Sequence, residues 1–210
     1  MFQNVWRCFI TDTINNSKPI TDGENATRPD AKTQLFDWLD VLVSAVIAVV
    51  LVFTVFFRVA TIDGDSMENT FYGQERVILS NIFYKPERGD VVIISRNVDN
   101  SSDENSDLPI IKRVIATEYQ TVDIDFNLGV VYVDGVALDE PYTKTPTNTQ
   151  YDIDFPVTVP EGCIFVLGDN RNISLDSRSS RIGDGGMIDT RYVLGRVFLR
   201  AFPLNRIKFF

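Results

Sequence analysis

From Val41 to Phe57 the chain reads VLVSAVIAVVLVFTVFF, without a charge, a proline or a glycine. Adding Trp38 and Leu39, with Asp40 as the one interruption, extends the run to about twenty residues, enough for a helix to cross ~30 Å of hydrocarbon. Its polarity has no 3.6-residue period, so no face is reserved for a protein core. A helix that meets lipid on every side has this pattern. A cleaved leader would start nearer Met1, carry a shorter apolar stretch and end in an Ala-x-Ala-like site. The pattern predicts one retained membrane span over residues 35–57. Its orientation stays open, because Arg28 and Lys32 before the span are balanced by Arg58 and Arg76 after it.

The flanks differ. Residues 1–34 are polar, carry four basic and four acidic side chains, and read as an arm with one short helical turn around Val5–Ile10. Residues 58–210 instead repeat short runs rich in Val, Ile, Phe and Tyr between turn signals: RVILS (76–80), DVVIIS (90–95), PIIKRVIA (109–116), TVDIDF (121–126), VVYV (130–133), CIFVL (163–167) and YVLGRVFLRAF (192–202). Asp134-Gly135 between apolar ends is the strongest hairpin signal in the chain. These features predict a mainly β domain, as two small sheets or a partly open barrel, behind a single N-terminal helix. Asn97–Leu108, polar and acidic with no apolar anchor, reads as a solvated loop.

Composition narrows the chemistry. The 20 Lys and Arg against 29 Asp and Glu give a net charge of −9, the wrong sign for a nucleic-acid binder. Histidine is absent, which excludes Ser-His-Asp and Cys-His machinery, His-Glu-x-x-His metalloproteases and most zinc sites. Any catalytic base must be another residue. Cys8 and Cys163 form no C-x-x-C pair.

Three segments carry candidate chemistry. In TIDGDSMENTF (61–71), Ser66 follows Gly64-Asp65 nine residues after Phe57, and Gly64 permits a tight backbone just before the hydroxyl. A serine hydroxyl needs a partner to take its proton. In a strand over 109–116, Ile110, Lys112 and Val114 share one face and Ile111, Arg113 and Ile115 the other. The Lys112 ammonium then lies among aliphatic side chains, where desolvation favours its neutral form. At a pKa of ~10.4 about 0.04% of a lysine is neutral at pH 7, and at roughly 8 about 10% is. The third segment is GDNRNISLDSR (168–178), whose dense polar groups follow an apolar strand and must satisfy one another. Taken singly, each has a plainer reading: a turn serine, an edge lysine snorkelling to water, an Asx-rich surface turn.

Together, and in this order, they resemble the type I signal peptidases, the serine/lysine leader peptidases of bacteria. The span, DGDSMENTF, RGDVVII (88–94), IIKRVIA (110–116), GDNRNISLDSR and the ending LGRVFLRAFPLNRIKFF carry the resemblance. It implies Ser66 as nucleophile, Lys112 as general base, and the Ser66 backbone N–H in the oxyanion hole. Some relatives have a side-chain hydroxyl at the position of Gly64, where this chain offers none. It implies Ser174 orienting Lys112, Asp176 and Arg178 bracing the site, and Ile62, Phe71, Ile110 and Ile111 walling shallow pockets for small side chains. Asn69 stands where the family usually has proline, and TEYQ (117–120) replaces a Gly-rich continuation.

The resemblance further implies a monomer with no cofactor or metal, acting on signal peptides of secretory preproteins at the lipid bilayer. Residues 1–34 would be cytoplasmic and 58–210 extracytoplasmic, leaving Cys8 and Cys163 on opposite sides. The rivals are a self-cleaving repressor of the same serine/lysine type, disfavoured by the span, and a catalytically silent membrane-tethered β module that binds secreted proteins.

Overall fold

The computed structural model describes residues 31–81, 84–95 and 109–210, with the side chains of 31–34, 52, 53, 55 and 56 excepted. The turn expected at Val5–Ile10 and the loop expected at Asn97–Leu108 lie outside the described residues. The chain divides into two units, Met1–Ala45 and Val46–Phe210.

The apolar run forms one helix, α1 (Ala31–Phe56), of 26 residues. It begins earlier than the apolar pattern indicates, because Ala31-Lys32-Thr33-Gln34 contains no proline or glycine to stop it. Phe57 is already extended. The side chains of Trp38, Val41, Leu42, Val43, Val46, Ile47, Val49, Val50 and Leu51 are exposed. Among the described residues no helix is long and apolar enough to cross a membrane.

The remainder is mainly β. Its strands are β1 (Phe57–Thr61), β2 (Arg76–Ser80), β3 (Val91–Ile94), β4 (Ile110–Thr117), β5 (Thr121–Asp125), β6 (Val130–Val133), β7 (Val136–Ala137), β8 (Val157–Thr158), β9 (Cys163–Leu167), β10 (Ile188–Asp189), β11 (Val193–Phe202) and β12 (Lys208–Phe209). Among the described residues they make an eight-stranded sheet in the order β1-β2-β11-β3-β4-β9-β10, with β12 on β11. A second, four-stranded sheet runs β7-β6-β5-β8. Asp134 and Gly135 take φ of 52° and 77°, the left-handed pair that a tight two-residue hairpin between β6 and β7 requires.

Three apolar clusters hold the sheets. Ile115, Ala116, Val122, Val131, Phe165 and Leu167 pack where the two sheets meet. A register shift between Val114 and Ala116 turns the adjacent residues Ile115 and Ala116 toward that same core. On the large sheet, Ile62, Met67, Phe71, Val77, Ile93 and Ile111 form a second cluster, and Val92, Ile94, Val114, Ile164 and Val166 a third. The connection between β1 and β2 is pinned at its base by Ile62 and Gln74, whose amides donate to Glu75 and Ile62 carbonyls at 2.9 and 2.9 Å.

Candidate active site

Three chain segments converge. The β1–β2 connection carries Ser66, and the next residue, Met67, is driven into the second cluster with Phe71. Those two buried side chains anchor the loop so that Ser66 stays half-exposed. β4 carries Lys112 opposite Val92 of β3. On the other side of β4, Arg113 faces Leu167 of β9, so the chain leaves β9 at Gly168 alongside Lys112.

Lys112 is 4% exposed. Its Nζ donates to Ser66 Oγ at 2.9 Å and to the Ile111 carbonyl at 3.0 Å. Burial of the amine penalises its charged form. Residues 46 apart in sequence are thereby brought within proton-transfer distance.

The segment Gly168–Arg178 is an interior loop, with Asp169, Arg171, Ser174, Asp176 and Arg178 all buried. Its first turn docks the loop that carries Ser66. The Asn170 amide donates to the Ser66 carbonyl at 3.0 Å, and Asn170 Nδ2 reaches the Asp65 carbonyl at 3.2 Å. Asp176 and Arg178 form a buried, two-bonded pair, with Nε on Oδ1 at 2.8 Å and Nη2 on Oδ2 at 2.9 Å. Asp176 Oδ2 also accepts from the Gly168 amide at 3.1 Å, so the pair ties the two ends of the loop together.

Ser174 is brought beside the dyad but is not bonded to it. Among the described residues its buried Oγ has no hydrogen-bond partner. A Cβ added to Gly168 would lie 2.2 Å from that Oγ and 2.5 Å from the Ser66 carbonyl oxygen, so the three groups share one tight gap. The four expected pocket walls do not stay together. Ile62, Phe71 and Ile111 pack in the second cluster, whereas Ile110 packs against the third, because neighbours on a strand point to opposite faces.

Arg113 was not marked by the sequence reading. Its Nε and Nη2 grip both oxygens of Asp169 at 2.8 and 2.6 Å, and Nη1 donates to the Gly89 carbonyl at 2.7 Å. Thr70, on the same loop as Ser66, donates to Asp169 Oδ2 at 2.5 Å. Arg171, likewise unmarked, holds Glu140 through Nη1 and Nη2 at 2.9 and 2.6 Å. The only signal for these in the sequence is the density of charge beside apolar strands.

A model of the signal peptidase family, peptidase S26, matches residues 35–202. The chain belongs to this family. Among its relatives, the signal peptidase I of Bacillus licheniformis is 32% identical over 187 residues, covering 84% of this chain and 94% of that protein. A probable signal peptidase I of Synechocystis is 35% identical over 176 residues, covering 81% of this chain and 76% of that one. The crystal structure of a signal peptidase I from Enterococcus faecalis V583 shares 30% identity, covers 54% of this chain and 97% of its own, and has a TM-score of 0.40. A signal peptidase is a serine endopeptidase, and the mainly β body accords with that membership.

Proposed function

We propose that this signal peptidase cuts signal peptides from secretory preproteins with Ser66 as nucleophile and Lys112 as general base, held at the membrane by α1. The observation that carries the reading is the 2.9 Å approach of a buried Lys112 amine to the Ser66 hydroxyl.

The chemistry follows from that pair. Neutral Lys112 takes the Ser66 proton as Oγ attacks the scissile carbonyl carbon. The resulting oxyanion is stabilised by backbone N–H, with Ser66 N–H as one donor. Lys112 then returns its proton to the leaving amine, the C–N bond breaks, and the signal peptide remains as an ester on Ser66. Lys112 next removes a proton from water, whose hydroxide attacks the ester. The serine oxygen recovers a proton as it leaves. In this reading Ser174, packed against Gly168 and the Ser66 carbonyl, is the side chain assigned to orient the amine, and the Asp176–Arg178 pair keeps Gly168–Arg178 rigid.

Gly64, with φ of 81°, has no side chain to donate, so a second oxyanion donor comes from elsewhere or is missing. Ile62, Phe71 and Ile111 are buried in one cluster with Met67, the residue next to Ser66, and in this reading they support the site from below. Small P-site side chains suit a shallow site of this kind.

Membrane attachment rests on the all-round exposed apolar surface of α1 and on the short chain between Phe57 and Ser66. Nine extended residues reach at most ~30 Å. Phe198, Phe202 and Phe209 are also exposed, beside Arg58, Arg76 and Lys208. Aromatic and basic residues of this kind suit a headgroup layer. The arm 1–34 is then cytoplasmic and the β body external, the side on which signal peptides are cut.

The test is cleavage of a purified preprotein by wild type, Ser66→Ala and Lys112→Ala in detergent or vesicles. Folded but inactive variants beside an active wild type uphold the reading. An inert wild type that binds the preprotein would instead point to a silent tethering module.

A further inference from the structure

The segment between β7 and β8 crosses all three catalytic pieces. The Lys144 amide donates to the Asp169 carbonyl at 2.9 Å, and the Lys144 ammonium pairs with Glu68, two residues after the nucleophile. Glu140 is gripped by Arg171 of the interior loop. Between them the Tyr142 ring lies with its centroid 4.0 Å from the Arg113 guanidinium carbon, and its hydroxyl donates to Glu140 Oε1 at 2.8 Å.

Arg113 is the next residue after Lys112, so its placement fixes the local twist of β4. Its donors reach Asp169, the Gly89 carbonyl and, at 3.3 Å, Thr70 Oγ1. Those bonds leave the faces of the guanidinium for stacking, and Tyr142 occupies one of them. We propose that Tyr142 is a positioning residue: by capping Arg113 it holds the Asp169–Thr70 grip taut, and so sets the separation and dryness of the Ser66–Lys112 pair. Tyr142 acts through Arg113, so its contribution is expected on the chemical step and not on substrate binding.

The inference rests on the serine/lysine reading above, and the experiment separates the two. Full-length protein is assayed on a preprotein between about pH 6 and pH 10 as wild type, Tyr142→Phe, Tyr142→Leu and Tyr142→Gln, with Ser66→Ala and Lys112→Ala as controls. Rates are normalised to the folded fraction from thermal unfolding. The charged groups facing Tyr142 are Arg113 on β4, Glu140 on its own segment and Arg171 on the interior loop. The segments that carry the dyad and those packed on them also bear Asp65, Glu68, Lys144 and Asp169, of which Glu68 pairs with Lys144 and Asp169 with Arg113. Carboxylates and guanidinium groups ordinarily titrate outside this window. Burial and the Glu140 charge push the Tyr142 phenol well above its usual value, so it stays protonated throughout.

Tyr142→Phe keeps the ring on Arg113 and is expected within about twofold of wild type. Tyr142→Leu and Tyr142→Gln lose it, and kcat is expected to fall about tenfold or more with KM within about twofold. Their acid limb is expected to move up toward free lysine, because a slack site admits water to Lys112. Ring-less variants with wild-type kcat and pH profile overturn the proposal. So does a Tyr142→Phe loss equal to that of Tyr142→Leu, or failure of both ring-less variants to fold, which makes the ring a core residue only. A wild type that does not cleave, or controls that remain active, overturns the serine/lysine reading and this inference with it.

Discussion

Lys112 must shed its proton before it can take one from Ser66, and its burial makes the charged form the costlier one. Below its pKa it is an ammonium with no lone pair, so activity falls as pH falls. The rate is therefore expected to rise with pH through an apparent pKa below that of free lysine, measured as kcat/KM on a preprotein. A midpoint near that of free lysine would remove the buried-base argument. Asp176 tests the bracing pair in a different way. Asp176→Asn leaves the fully buried Arg178 guanidinium short of its counter-charge, at a cost of about 3–5 kcal/mol of stability, readable by urea unfolding. At the exposed end of the same region, the Ser180 hydroxyl and amide hold the Asp152 carboxyl down to about 2. A lowered carboxylate pKa stabilises above its ordinary value and ceases to do so as pH falls through 2. Ser180→Ala is thus expected to lower Tm at neutral pH, the difference closing near pH 2.

At the scale of elements, glycine positions separate scaffold from site. A Cβ at Gly135 would meet no atom within 4 Å, so Gly135→Ala pays only for a left-handed φ, about 1 kcal/mol, with cleavage unchanged. At Gly168 the same Cβ would strike Ser174 and the Ser66 carbonyl. Gly168→Ala is expected to fold with reduced stability and lose most of its kcat in the preprotein assay. The strands that define the scaffold were legible because their apolar runs are bounded by turns. RVILS, VVYV and CIFVL match β2, β6 and β9 end to end. β7 was legible through the Asp134-Gly135 hairpin, whereas β1 was missed because FRVAT continues the apolar run of α1, and β8, β10 and β12 are two residues each, too short for any period to appear. At the site, Ser66 and Lys112 were readable as an ordered pair of motifs. Arg113, Asp169 and Thr70 were not, because a grip between residues 56 apart follows from the register of β4 on β9, which no local pattern encodes. Between Gly168 and Arg178 the chain is coiled into turns, and Asp169, Arg171, Asp176 and Arg178 find their partners inside the fold while the Ser174 hydroxyl does not.

The whole molecule joins an apolar helix to a β body through no linker, since β1 starts at Phe57 immediately after α1. If α1 crosses the bilayer, that directness matters mechanically. A signal peptide is itself a membrane-borne segment, and a nucleophile only nine residues along the chain is restricted to a layer close to the lipid surface. Association is then a search in two dimensions, with the effective concentration of substrate raised by tethering. Two arginines placed on α1, Val46→Arg with Val50→Arg, each cost about 2.5–3.5 kcal/mol at the centre of a span and lie far along the chain from Ser66. The wild-type chain is expected to remain in the membrane pellet after alkaline carbonate extraction, and the double variant to pass largely into the supernatant. On a preprotein embedded in vesicles, the variant is expected to lose most of its kcat/KM. On a short soluble peptide spanning the cleavage site, it should keep kcat, because the Ser66–Lys112 geometry is built by β1, β2, β4 and the loop after β9. Equal loss on both substrates would mean that the helix supports the fold of the site, and unchanged extraction would mean that α1 does not hold the protein in the membrane.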